Sequence, residues 1–169
     1  WLVQTRDVPF PDALRNRLPA DCLSVWWKEL TNEDSQREAP KWNSGSSDSL
    51  ITAVENTIYY TIDFAAGYSQ GIFLDQRDNR AWLRSACHPG DQVLNLFAYT
   101  CAFSVAAGCA GAVTTSVDLS QNYLDWGRRN FALNGIEDEV GSAHRFFAWD
   151  TFDFLRMAKR QGERYRFIV

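Results

Sequence analysis

Two acidic residues stand where strands of a parallel sheet would end. Asp118 closes a β-branched run at 112–118, about 20 residues after a loop at 95–100, and Asp150 follows a second run at 143–148. In open parallel sheets, ligands bind beyond the carboxyl ends of the strands. The two oxygens of Asp118 suit the vicinal hydroxyls of a ribose, and Asp150 suits an exocyclic amine such as adenine N6. The alternative for each acid is a helix N-cap.

The loop at 95–100 joins a predicted buried strand at 92–97 to a helix of small apolar residues at 102–108. Backbone N–H groups are free at a helix start and suit a carboxylate, a phosphate or a nucleoside, although a plain strand-to-helix turn has the same pattern. No G-x-G-x-x-G motif and no phosphate-binding P-loop motif occurs. Gly108 and Gly111 fall at the far end of the helix. The sequence therefore favours a nucleoside without a long phosphate tail.

Strands and helices alternate over the second half of the chain. We predict strands at 92–97, 112–118, 143–148 and 165–169, and helices at 76–87, 102–108, 120–134 and 151–159. This alternation indicates βαβ units, a mainly parallel sheet and three layers in an α/β fold. Upstream, the runs 51–55 and 58–63 predict a β-hairpin, and prolines interrupt an irregular arm over residues 1–45. We divide the chain into residues 1–66, arm and hairpin, and residues 67–169, a Rossmann-like domain.

Composition excludes several functional classes. The net charge of −4 argues against RNA binding by bulk charge. A basic cluster is a candidate for phosphate contact or, alternatively, a solvated helix end: Arg156, Lys159, Arg160, Arg164 and Arg166. The four cysteines form no CxxC pair, so free thiols and no metal site are predicted. The apolar stretches are too short for a membrane span, and we expect a cytoplasmic protein.

Several separated motifs occur together in order: 71–77 (GIFLDQR), 95–100 (NLFAYT), 116–120 (SVDLS), 123–126 (YLDW) and 130–135 (NFALNG). Over residues 50–169 this pattern resembles the large-subunit ribosomal RNA methyltransferases of the K and I kinds. The resemblance implies an S-adenosylmethionine-dependent enzyme with a Rossmann-like methyltransferase sheet. It also implies ribosomal RNA as the partner and a base, guanine N7 or cytosine C5, as the methyl acceptor. The 123–126 motif looks more like the K kind.

The resemblance also assigns a cofactor site. The loop with Asn95, Phe97, Tyr99 and Thr100 would hold the methionine end, Asp118 with Leu119 the ribose, and Asp150 with Trp149 the adenine. Gln76 and Arg77, with Arg80 as a further candidate, lie in the family's leucine-aspartate-glutamine-arginine segment, where an arginine could pair with the methionine carboxylate. The alternative is that Arg77, Arg80 and Arg84 form an exposed or RNA-facing stripe of the helix.

Two departures from the family pattern qualify this hypothesis. Cys101 stands where the family has glycine, which predicts weaker cofactor binding because conformational freedom is lost; Cys101 as a nucleophile is the less favoured interpretation. Arg166 replaces the usual aspartate of the fourth strand, and the family's Asp-Pro-Pro segment would follow Val169, so we expect the catalytic residues beyond Val169 and a longer parent protein. The alternatives are a degenerate domain that binds RNA or a partner, and a small-molecule methyltransferase. No oligomeric state is predicted.

Overall fold

The computed structural model describes residues 2–31, 37–67, 69–136 and 143–169. Contacts divide the chain into two compact units, 1–51 with 62–71, and 52–61 with 72–169. This division differs from the predicted boundary at residue 66. The reason is that part of the hairpin packs with the second unit: Ile58 and Tyr60 lie in one core cluster with Val105 and Phe131.

The first unit is not irregular, as the prolines had suggested. It contains strands β1 (Leu2–Arg6), β2 (Ser24–Leu30) and β3 (Lys41–Gly45), and a short helix α1 (Asp12–Arg15). β1 runs parallel to β2, and β3 is antiparallel to β2. Trp26 of β2 is buried and stacks on Phe64 with ring centroids 5.6 Å apart. The prolines fall in the connections between these strands, so they mark loops and not an unstructured arm.

The predicted hairpin is confirmed as β4 (Leu50–Glu55) and β5 (Ile58–Asp63). Both turn residues have positive φ, 50° at Asn56 and 68° at Thr57. This is the backbone of a type I′ turn, which favours Asn and Gly. The guanidinium of Arg84 donates to the Asn56 carbonyl at 2.6 Å and to Thr57 Oγ1 at 3.1 Å.

The second unit contains the predicted parallel sheet. Its strands are β6 (Gln92–Leu96), β7 (Val113–Asp118), β8 (His144–Ala148) and β9 (Phe167–Ile168), in the order β8-β7-β6-β9. Every neighbouring pair is parallel. The strand order therefore reverses beside β6, and the carboxyl ends of β6 and β7 lie next to this switch point, where open α/β sheets bind ligands.

Helices cover both faces of this sheet, which confirms the α/β class. A 3-10 turn (Leu74–Gln76) leads into α2 (Arg77–Ala86); α3 (Ala102–Gly108), α4 (Gln121–Leu133) and α5 (Thr151–Gln161) follow. Alternate residues of β6 point to opposite faces. Val93 packs with Leu83 of α2 and Ala107 of α3, and Leu94 packs with Phe154 of α5. The sheet is thus held rigidly beneath the loops at its carboxyl edge.

Candidate functional site

The loop between β6 and α3 has an unusual backbone. Phe97, Tyr99 and Cys101 have φ values of 53°, 49° and 59°, and none of them is glycine. The left-handed region costs an L-residue about 1–2 kcal/mol, and such strain persists only where the surroundings impose it, often at functional sites. Cys101 takes the left-handed conformation although it replaces the family's glycine. The backbone geometry expected of that glycine is therefore retained.

Space for the Cys101 side chain comes from α4. A Cβ placed on Gly127 would lie 2.4 Å from Cys101 Sγ and 2.9 Å from its Cβ. Gly127 therefore leaves the gap that the cysteine fills. Burial raises the pKa of the fully buried Cys101 thiol to about 12, so the thiol is protonated near neutral pH. The nucleophile interpretation has no support in this environment, because the thiolate is the reactive form.

Three hydrogen bonds fix the loop from neighbouring elements. The Tyr99 N–H donates to Asp118 Oδ2 at 2.8 Å, and the Ala98 N–H donates to the Val117 carbonyl at 2.9 Å. From the other side, Asn130 Nδ2 donates to the Thr100 carbonyl at 3.1 Å. These bonds supply the constraint that holds left-handed residues in place.

Asp118 is the last residue of β7 and is half-buried. Its Oδ1 accepts from the Ser120 N–H at 2.9 Å, and its Oδ2 accepts from Tyr99. The helix cap is Ser120, whose Oγ accepts from the Tyr123 N–H, so the N-cap alternative for Asp118 is wrong. A carboxylate offers about four acceptor positions. Asp118 thus retains acceptor capacity for the hydroxyls of a ligand.

Asp150 does act as a helix cap. Its Oδ1 accepts from the N–H groups of Phe152 at 2.9 Å and Asp153 at 3.1 Å, at the start of α5. Both bonds use one oxygen, which leaves Oδ2 as an acceptor toward a ligand. Trp149 beside it and Leu119 after β7 are 42% and 76% exposed. Large apolar side chains that are exposed at the strand ends can pack against the faces of a planar ring.

Five of the predicted residues line one pocket at the carboxyl end of β6. They are Gln76, Asn95, Phe97, Tyr99 and Thr100, and the other lining residues include Phe73, Arg80 and Val169. Phe97 is 69% exposed. Asn95 is buried and donates to Ser104 Oγ at 2.9 Å, so its amide holds β6 to α3. Tyr99 lines the pocket and also donates to Asp118, so the pocket and the ribose candidate adjoin.

The arginines of α2 have different environments. Arg77 is exposed and does not line the pocket. Arg80 is only 2% exposed, and its Nε and Nη2 donate to the two carboxylate oxygens of Glu55 at 2.8 and 2.7 Å. Its Nη1 donates to the Phe73 carbonyl at 2.9 Å. The interpretation of Arg80 as part of an exposed stripe of the helix is therefore wrong.

Aromatic side chains surround Tyr99, a feature that the sequence motifs did not predict. Its ring centroid lies 5.4 Å from Phe73, 4.5 Å from Tyr123 and 6.4 Å from Trp126. Sequence reasoning also missed Asn130, which is fully buried in the middle of α4. Asparagine is a poor residue for a helix interior, and that mismatch was the available signal.

Two further findings concern the described residues alone. No group of three or more His, Cys, Asp or Glu side chains there is placed to hold a metal ion. None of the helices in the described ranges is both long and apolar enough to cross a membrane.

The parallel sheet, the loop after β6 and the acid after β7 define a Rossmann-like domain with a candidate ligand site at its switch point. The family model of S-adenosylmethionine-dependent methyltransferases matches residues 28–164. The chain belongs to this family, whose cofactor is S-adenosylmethionine.

Relatives with curated names are similar over most of the chain. Ribosomal RNA large subunit methyltransferase K/L of Psychrobacter sp. (strain PRwf-1) is 42% identical over 143 residues, 84% of this chain and 17% of the relative. Ribosomal RNA large subunit methyltransferase K of Neisseria meningitidis serogroup B is 35% identical over 143 residues, 84% of this chain and 39% of the relative. The chain therefore spans well under half the length of these relatives.

Solved structures give the same fold. A candidate S-adenosylmethionine-dependent methyltransferase from Streptococcus mutans superposes with a TM-score of 0.75 at 33% identity, over 86% of this chain and 37% of that one. The candidate methyltransferase SMU.776, solved in complex with S-adenosylhomocysteine (SAH), matches with the same TM-score and identity. The methyltransferase from Agrobacterium tumefaciens matches at 0.76 and 24% identity, over 94% of this chain and 48% of that one, which supports the fold alone.

Proposed function

We propose that this protein takes part in transferring a methyl group from S-adenosylmethionine to a base of large-subunit ribosomal RNA. The observation that carries the proposal is the strand-end arrangement, in which Asp118 holds a strained, pocket-lining loop through the Tyr99 N–H. The curated relatives named for ribosomal RNA methylation supply the substrate class. Guanine N7 and cytosine C5 are the two acceptor atoms that we propose, and an RNA substrate of this kind implies a cytoplasmic location.

The residues present fit the cofactor. Asp118 supplies acceptor oxygens for the ribose hydroxyls, and Leu119 and Trp149 supply apolar surface for the adenine, whose amine would donate to Asp150. The loop at 97–101 and Gln76 would surround the methionine end. Arg77 is exposed and does not line the pocket, whereas Arg80 does. Arg80 is therefore the better placed cation, and its guanidinium is paired with Glu55.

When bound, S-adenosylmethionine supplies an electrophilic methyl group on a sulfonium centre. The contribution of this chain is positioning, because a fixed cofactor turns methyl transfer into a reaction between oriented groups. Asp118 and the constrained loop would orient the bound cofactor in the pocket. The pocket wall at Phe97 and Val169 is where the acceptor base would approach.

The experiment is methyl transfer from labelled S-adenosylmethionine to large-subunit ribosomal RNA that lacks the modification. It uses the protein with large-subunit ribosomal RNA and, in parallel, with an extract of small metabolites. Nucleoside analysis of the product distinguishes methylation at guanine N7 from methylation at cytosine C5. Label in the RNA supports the proposal. Label only in small molecules would favour a small-molecule methyltransferase, and cofactor binding without any transfer would favour a binding module.

A further inference from the structure

One edge of the hairpin is paired with side chains instead of a strand. In an antiparallel hairpin, alternate residues of each strand direct their N–H and C=O groups away from the partner strand. Tyr59 and Thr61 of β5 are two residues apart and present their backbone groups to α4. Such an edge needs partners, because unpaired strand edges are sites of unwanted association.

Two side chains of α4 and the side chain of its C-cap residue supply those partners, and we call them the α4 ladder: Trp126, Asn130 and Asn134. Asn134 accepts from the Tyr59 N–H at 2.8 Å and donates to the Tyr59 carbonyl at 2.7 Å. Asn130 Oδ1 accepts from the Thr61 N–H at 2.9 Å, and Trp126 Nε1 donates to the Thr61 carbonyl at 3.2 Å. Spacing by four residues places all three on one face of the helix.

Asn130 differs from the other two members because it also contacts the cofactor loop. Its Nδ2 donates to the Thr100 carbonyl at 3.1 Å, while its Oδ1 is held by the hairpin. The side chain is fully buried. Its amide orientation is unambiguous, since the oxygen faces an N–H group and the nitrogen faces a carbonyl.

The location of the Thr100 carbonyl makes this contact consequential. Thr100 is fully buried between Tyr99 and Cys101, two residues with left-handed backbones. A strained peptide needs a fixed partner on its carbonyl, since a buried acceptor without one is destabilised. Helix α4 next to this point also carries Gly127, which admits Cys101. One helical turn therefore sets both the path of the loop and the packing of its last residue.

We infer that Asn130 is a positioning residue for the cofactor: by bonding the hairpin backbone at Thr61 and the loop backbone at Thr100, it fixes the part of the loop that surrounds the methionine end. This inference rests on the proposed cofactor site. It assigns to the β4–β5 hairpin a role in ligand affinity, because the hairpin holds the acceptor end of the same amide.

The test compares Asn130→Asp with Asn134→Asp. Each variant keeps an acceptor for its β5 N–H group and removes an amide donor. In the first case the donor serves the Thr100 carbonyl, and in the second it serves the carbonyls of Tyr59 and Asn130. Binding of SAH and of 5′-methylthioadenosine, which lacks the amino-acid end, is measured by calorimetry at a temperature where circular dichroism shows each variant folded. If Asn130→Asp does not fold, Asn130→Ser, which has a smaller neutral side chain, replaces it in the comparison.

Asn130→Asp should weaken SAH binding about tenfold, as expected for loss of one buried hydrogen bond, and methylthioadenosine binding by less than about threefold. Asn134→Asp should change both by less than about threefold. Equal losses for the two ligands, or equal losses in the two variants, would overturn the inference and leave the proposed function standing. Failure of the unaltered protein to bind SAH would instead refute the proposed cofactor site, and the inference with it.

Discussion

Replacing Arg80 should destabilise the protein strongly, whereas replacing the less buried Arg84 of the same helix should cost much less stability. The Arg80 side chain is 2% exposed and that of Glu55 is 10% exposed, with the closest N–O distance at 2.7 Å. Arg80→Met leaves the Glu55 carboxylate and the Phe73 carbonyl without their partner. Breaking one side of a buried ion pair costs about 3–5 kcal/mol, a large share of a typical total stability of about 5–15 kcal/mol.

The assay is urea unfolding followed by tryptophan fluorescence, read as a shift in the midpoint at constant slope. Arg84→Met is the matched control, since Arg84 is less buried and donates only to the hairpin turn; its cost should stay below about 1.5 kcal/mol. The double variant Arg80→Met with Glu55→Met should recover part of the loss, because no buried charge remains. A loss below about 1 kcal/mol in Arg80→Met, accompanied by weaker SAH binding, would show that Arg80 serves the ligand and not the fold.

Three other expectations follow from packing, backbone strain and charge. Gly127→Ala should destabilise by about 1–3 kcal/mol through overlap with Cys101, and Cys101→Gly should rescue it in the double variant; thermal unfolding without rescue would contradict the packing argument. Thr57→Gly should raise the melting temperature by roughly 1–4 °C, since it relieves a positive φ, and a lower value would count against strain at this turn. Hydrogen bonds from Arg145 hold the pKa of Glu163 below its ordinary 4.5, so their stabilisation is present above that pH and is lost as pH falls through the folded-state value. Glu163→Gln should therefore flatten the acid limb of a melting-temperature profile, and an unchanged limb would refute this assignment.

The sheet and its helices were predictable because their signals are local. Runs of apolar residues marked β6, β7 and β8. Ser120 marked the start of α4, because a serine side chain at that place can accept a hydrogen bond from an N–H group of the first helical turn. The three strands of the first unit were missed for the opposite reason. β1 pairs with β2 across a connection rich in proline, and a strand of this kind is specified by its partner more than by its own residues.

The candidate site likewise contains residues that local sequence signals predict and residues whose roles depend on distant partners. Asp118 and the loop after β6 follow from their place at strand ends, which topology dictates. The role of Arg80 does not, because its helical spacing matches an exposed stripe and its partner Glu55 is 25 residues away. Asn130 likewise acts on Thr61 and Thr100, which are 69 and 30 residues distant. Side-chain pairings across such separations depend on packing that no local pattern encodes.

We propose that the carboxyl edge of this sheet binds S-adenosylmethionine through Asp118. Calorimetry with SAH on the protein and on Asp118→Ala tests it most directly, with Asp125→Ala, an exposed carboxylate on α4, as the control. We expect saturable binding by the unaltered protein, an affinity at least about tenfold lower in Asp118→Ala, and little change in Asp125→Ala. No binding by the folded protein, or undiminished binding by a folded Asp118→Ala variant, would contradict it.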